Sequence, residues 1–86
     1  MPFSPVFERS AGKFIKKLDP ASKERMEKAI KQLCVNPFPS DAVRIQGEKE
    51  KVFRIRVGDF RVLYAVIHQS NELIILKVDK RSRIYD

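Results

Sequence analysis

The chain has one cysteine and one histidine among its 86 residues, and that scarcity removes whole classes of chemistry. A lone Cys34 cannot build an internal disulfide framework, and with His68 as the single imidazole no metal-site spacing exists. No cofactor is implied. A Gly-rich phosphate loop and a Ser/His/Asp set are also missing. No apolar run approaches the roughly 20 residues of a spanning helix, and the opening stretch MPFSPVFERSAGK lacks the apolar core of a signal peptide. The expectation is a cytoplasmic protein with no membrane partner. Repeats, low-complexity tracts and linkers are lacking too, so residues 1–86 are expected to form one domain. A chain this short buries only about two-thirds of its unfolded surface, so its core must be economical.

What is present is charge on a globular background. Hydrophobic residues make up 43% and charged residues 34%, a balance that fits a folded domain rather than a disordered tail. The net charge of +7 favours a polyanionic partner, because Lys and Arg can neutralise phosphates and release counterions; solubility alone is the plain alternative. Residues 1–43 hold eight basic and five acidic side chains and residues 44–86 hold ten and six, so neither half carries the excess. A positive surface must therefore come from strand geometry rather than from a basic tail.

The stretch VFRIRVGDFRVLYAVI, residues 52–67, alternates with period two on either side of Gly58-Asp59, a pair suited to a two-residue hairpin loop with glycine first. That loop pairs Val57 with Phe60, Arg56 with Arg61, Ile55 with Val62, Arg54 with Leu63 and Phe53 with Tyr64. One face is then apolar: Phe53, Ile55, Val57, Phe60, Val62, Tyr64 and Val66. The other carries Arg54, Arg56 and Arg61, with Arg56 directly opposite Arg61, an unfavourable like-charge contact. No acid is expected there to relieve it, so the face calls for an anionic ligand. A solvated outer face is the plain alternative.

Helical spacing of Ala11, Phe14, Ile15 and Leu18 predicts a first helix over about 9–18. Asp19-Pro20 then restarts the chain with a cap acceptor and a proline at the first helical position. Met26, Ala29, Ile30, Leu33 and Cys34 form the stripe of a second helix, which NPFPSD, residues 36–41, must end. Residues 3–8 make an edge strand at most, because Pro5 lacks an N–H. Residues 42–50 form a short extended piece and a charged turn. A third meander strand, 73–78, is expected to place Ile74, Leu76 and Val78 on the core face and Lys77 beside the arginines. The fold class is α+β: a small antiparallel sheet with an N-terminal helical hairpin packed on one face.

The closing VDKRSRIYD brings Lys80, Arg81, Arg83 and Tyr85 to the end of that strand, where they can close over the arginine face. Forked guanidinium donors suit phosphate, and a tyrosine suits stacking on an unpaired base. Tyr64 reads as core, His68 as a solvated turn residue and Cys34 as buried packing. Without a histidine pair, any RNA cleavage would rest on positioning and on electrostatic stabilisation of the reacting phosphate.

The KFIKKLDP join, the NPFP break, the FRIRVGDFRVLYAV hairpin and the closing VDKRSRIYD together resemble the RelE/ParE superfamily of toxin–antitoxin toxins, and its RelE branch in particular. The resemblance implies a ribosome-dependent endoribonuclease that cuts mRNA in the A site by attack of the 2′-hydroxyl, and a cognate antitoxin that holds it in a hetero-oligomeric complex. It implies catalytic roles for Arg54, Arg56, Arg61, Arg81 and Tyr85, with Lys51, Lys77, Lys80 and Arg83 as further RNA-binding cations. Arg54 and Arg56 stand where relatives often carry lysine, and arginine is a poor base. The group that removes the 2′-hydroxyl proton is left open. The alternatives are a ParE-like inhibitor of DNA gyrase and a non-catalytic RNA-binding module.

Overall fold

Asp19 and Pro20 punctuate the N-terminal half. Asp19 accepts a hydrogen bond from the Ser22 amide at 3.1 Å. Hydrogen bonds from Ser22 also hold its carboxyl below the usual range. Pro20 takes the first helical position, where no N–H is required. The computed structural model, in which residues 2–45 and 51–80 are described, accordingly has helix α1 at Arg9–Lys16 and helix α2 at Pro20–Val35. Neither is long and apolar enough to cross a membrane.

The strands are β1 (Ser4–Phe7), β2 (Val43–Arg44), β3 (Val52–Val57), β4 (Phe60–Ile67) and β5 (Glu72–Lys80). They form one sheet in the order β1-β5-β4-β3-β2. Strands β2 to β5 are an antiparallel meander, while β1 adds to the outside of β5 in parallel. The expected α+β class holds, with this parallel edge as an addition. Pro5 is tolerated there because the bonds to β5 and its preceding turn come from its neighbours. Ser4 N–H donates to Asn71 O at 2.9 Å and Glu8 N–H to Ile75 O at 3.0 Å, so the proline needs no donor of its own.

One face of the sheet carries the core. Ala11 and Ile15 from α1 and Met26, Ile30, Leu33 and Cys34 from α2 pack on Ile55, Val57, Val62, Tyr64, Leu73, Ile75 and Val78. Both helical stripes and the apolar hairpin face are those expected from spacing. Burial also pushes the Cys34 thiol pKa up, which suits a packing residue rather than a reactive one. The β3–β4 register is the expected one, residue for residue. Gly58, at φ 60°, supplies the left-handed backbone that the loop requires, beneath the Arg25 side chain.

The third meander strand departs from expectation. Leu63 pairs with Lys77, but Tyr64 pairs with Ile75, so Leu76 is an extra residue in a β-bulge. The bulge shifts the alternation by one, and Leu73, Ile75 and Val78 face the core in place of Ile74, Leu76 and Val78. His68 is also more than a solvated turn residue. Its ring, though exposed, meets Phe3 edge-on at 5.7 Å and stacks near Phe38 at 6.3 Å.

Tyr64 pins the loop that ends α2. Fully buried, it donates its hydroxyl hydrogen bond to Pro37 O at 2.6 Å. Phe53 stacks on it, and Phe38 meets Phe53 edge-on at 5.0 Å. Desolvation, and then the nearby Asp41 carboxylate, push the Tyr64 pKa up to about 12 from its model-compound value of 10.0. The unfolded chain thus gives up this proton first. The contribution is intact below pH about 10 and is lost as pH climbs to about 12, an effect of about 2–3 kcal/mol. Tyr64→Phe is expected to lose about 1–2 kcal/mol at pH 7, because a half-buried carbonyl loses its donor. It should also abolish this alkaline fall. Urea unfolding of both proteins between pH 8 and about 12 checks the slopes; identical slopes would refute the assignment.

Candidate functional site

On the face away from the helices, strand pairing sorts the side chains into rows, since residues directly opposite one another project to the same side. The row nearest the hairpin loop is Arg56 on β3, Arg61 on β4 and Asp79 on β5. The next is Arg54, Leu63 and Lys77, and the third is Val52, Ala65 and Ile74. Charge is therefore concentrated at one end of the face and gives way to apolar side chains within three rows. Neighbouring strands lie about 4.8 Å apart, so the backbones of the first row span about 10 Å.

Arg61 is the unusual member, an arginine that is 0% exposed. A buried guanidinium is costly unless engaged, and Arg61, like Arg54, is engaged by neighbouring groups. Arg56 and Lys77 are exposed, and Arg54 and Asp79 are half-buried. Asp79 corrects the expectation that no acid stands on this face. It occupies the position across from Arg61 on the side opposite Arg56, where an opposite charge offsets the like-charge contact. Its Oδ1 accepts a hydrogen bond from the Lys80 amide at 2.7 Å, which fixes the carboxylate. The sequence held a signal for this residue. Arg61 needs an acid beside it, and Val78 on the core face already puts Asp79 on the arginine side.

The other expected site residues divide. Arg54, Arg56, Arg61 and Lys77 share the face as anticipated. Lys80 does not, because it pairs with Phe60 and so points to the helix side. Lys51 is exposed and precedes β3 at the end remote from Arg56. Arg81, Arg83 and Tyr85 lie outside the described residues.

Beside Arg56 the sheet edge is open. Strand β2 pairs only with Phe53 and Arg54, so residues 55–57 of β3 lack a partner on that side among the described residues. A cavity of about 300 Å³ adjoins them, walled by Ala29, Leu33, Pro39, Ile55, Asp41 and Arg56 among others. The arrangement thus offers forked donors for a phosphate, one carboxylate acceptor beside them, and, among the described residues, an unpaired backbone edge next to a hollow lined by both apolar and polar side chains, Gln32 and Asn36 included.

Comparison with known proteins bears on all of this. Residues 3–85 match the family described as the ParE toxin of the type II toxin–antitoxin system parDE. The chain is 33% identical to RelE1 of Methanocaldococcus jannaschii, covering 99% of this chain and 97% of that protein. The RelE of the archaeal RelE–RelB complex from Pyrococcus horikoshii superposes with a TM-score of 0.83 at 26% identity, over 98% of this chain and 100% of that one. The isolated Escherichia coli RelE toxin shares the fold, with a TM-score of 0.80 at 20% identity over 95% of this chain and 87% of that one. A chain with this sheet order and this arginine face, matched along nearly its whole length, belongs to the RelE/ParE superfamily of toxin–antitoxin toxins.

Proposed function

We propose that this toxin is an endoribonuclease that cuts mRNA in the ribosomal A site and so stops translation in the cytoplasm. The observation that carries the reading is the row beginning Arg56–Arg61, a buried guanidinium beside an exposed one on the sheet face away from the helices. Between them the two forks can hold a scissile phosphate. As the 2′-hydroxyl oxygen closes on phosphorus, charge builds on the non-bridging oxygens, and preformed donors then stabilise the transition state more than the ground state. Arg54 and Lys77 extend the grip to the neighbouring phosphate. Arg81 and Tyr85 complete the site in this reading, Arg81 on the phosphate and Tyr85 stacked against a base. Lys51, Lys80 and Arg83 add to the field that draws RNA in. Residues 1–86 act as one domain.

The partner that silences it is a cognate antitoxin. The open edge beside Arg56 and the adjoining hollow suit an extended segment that adds a strand and buries alternate apolar side chains. The net charge of +7 favours an acidic one.

Mapping of mRNA 5′ ends in a translating extract tests the proposal. Added protein is expected to create new ends at A-site codons; intact messages would reject it. The match to the ParE toxin family favours a second reading, inhibition of DNA gyrase. In that case gyrase supercoiling stops while mRNA stays whole. Salt-sensitive RNA binding without new ends would instead mark a non-catalytic binding module.

A further inference from the structure

We infer that Asp79 is the general base that removes the 2′-hydroxyl proton in the RNA cleavage proposed above, an inference that rests on that reading. The arginines of the face have no lone pair with which to take a proton, and neither does an ammonium. A carboxylate does. Among the described residues on the outer face there are two, and Glu72 is at the wrong end. It pairs with Ile67, and its Oε1 accepts from Ser70 Oγ at 2.8 Å. His68 is held between the Phe3 and Phe38 rings at that same end. Tyr64 lies on the opposite face with its hydroxyl committed to Pro37 O.

Asp79 alone of these stands in the row of Arg56 and Arg61. It stands on the strand next to Arg61, directly across from it, so a carboxylate and a guanidinium project from adjacent positions on the same face. The Lys80 amide on Oδ1 orients the group and leaves Oδ2 to receive the proton. The O–H bond of the 2′-hydroxyl breaks toward Oδ2 while the freed electron pair forms the new bond to phosphorus. The P–O5′ bond then breaks, and its electron pair stays on the 5′ oxygen, which takes a proton from water. The hydroxide left behind recovers the proton from Asp79. The products are a 2′,3′-cyclic phosphate and a 5′-hydroxyl, with the enzyme unchanged. Among the described residues, the charged groups on the face of Asp79 at this end are Arg61 on β4, Arg56 beyond it on β3, and Lys77 on its own strand.

The test is single-turnover cleavage on programmed ribosomes as a function of pH, for the wild-type protein, Asp79→Asn and Asp79→Glu. General-base removal typically costs about a hundredfold or more. Asp79→Asn is expected to cut at least about a hundred times more slowly, to bind ribosomes as well as wild type, and to lose the acid-side limb of the pH profile. Asp79→Glu should keep that limb, displaced, with part of the rate. Cleavage by Asp79→Asn within about threefold of wild type, or a wild-type pH profile in both variants, overturns the inference. Should Asp79→Asn fail to fold, the Asp79→Glu profile decides alone, because an unmoved limb overturns the role and a displaced one supports it. A wild-type protein that leaves mRNA whole rejects the endoribonuclease reading itself, a result distinct from inactivity of the variants alone.

Discussion

Arg61→Met is expected to cut A-site mRNA at least about a hundred times more slowly than wild type, the usual loss when a transition-state donor is removed. Methionine is chosen because it fills most of the same space with an unbranched chain. Arg61 is fully buried, so alanine would mix a cavity with the loss of charge. With the volume kept, the fall in melting temperature reflects only the loss of the guanidinium's partners, and a melting scan separates it from the collapse in rate. Arg61→Lys should fall between, since a point charge replaces a fork. Cleavage by Arg61→Met within about threefold of wild type, far short of the loss expected of a donor, would remove the Arg56–Arg61 row from the chemistry.

The second large effect concerns stability and tests the bulge. Ile75→Ala should cost about 2–5 kcal/mol, because Ile75 is 0% exposed and its removal leaves a core cavity. Ile74→Ala should cost at least about 1 kcal/mol less, since Ile74 is only half-buried, opposite Ala65 on the outer face. The regular alternation expected from sequence demands the reverse order. Urea midpoints for the two variants decide between them, and a larger loss at Ile74 would place the strand in the other phase.

That strand also shows where sequence reasoning stops. The hairpin was legible to the residue, because arginines alternating with apolar residues leave one register open and Gly58 supplies a loop that fixes it. Asp19-Pro20 and the two helical stripes were legible for the same reason, since local chemistry and burial agree. In LIILKV five of the six side chains are apolar, so alternation carries no phase, and only contact with β4 selects one. Asp79 was not hidden by that ambiguity. Val78 faces the core as expected, which already puts Asp79 on the arginine face. The parallel seat of Ser4–Phe7 was illegible for a different reason. Nothing in four residues names a partner 68 positions away along the chain. Of the candidate site, Arg54, Arg56 and Arg61 followed from the hairpin and Lys77 from Val78 facing the core; the roles of Arg81 and Tyr85 rest on resemblance.

That long-range pairing governs the order in which a newly made chain can become whole. Residues Ser4–Phe7 leave the ribosome 68 positions ahead of their seat, Glu72–Ile75. Arg61 likewise waits for Asp79. Until the final strand is synthesised, the sheet has no fourth or fifth member and the charged row lacks its acid. The two helices and the hairpin can form early because their contacts are local, whereas closure across the whole chain is the slow, non-local step. A nascent chain therefore stays incomplete until Glu72–Lys80 is made, and acquires its charged row only when that strand docks. The interval is one in which a newly made chain can meet a binding partner before its site is assembled.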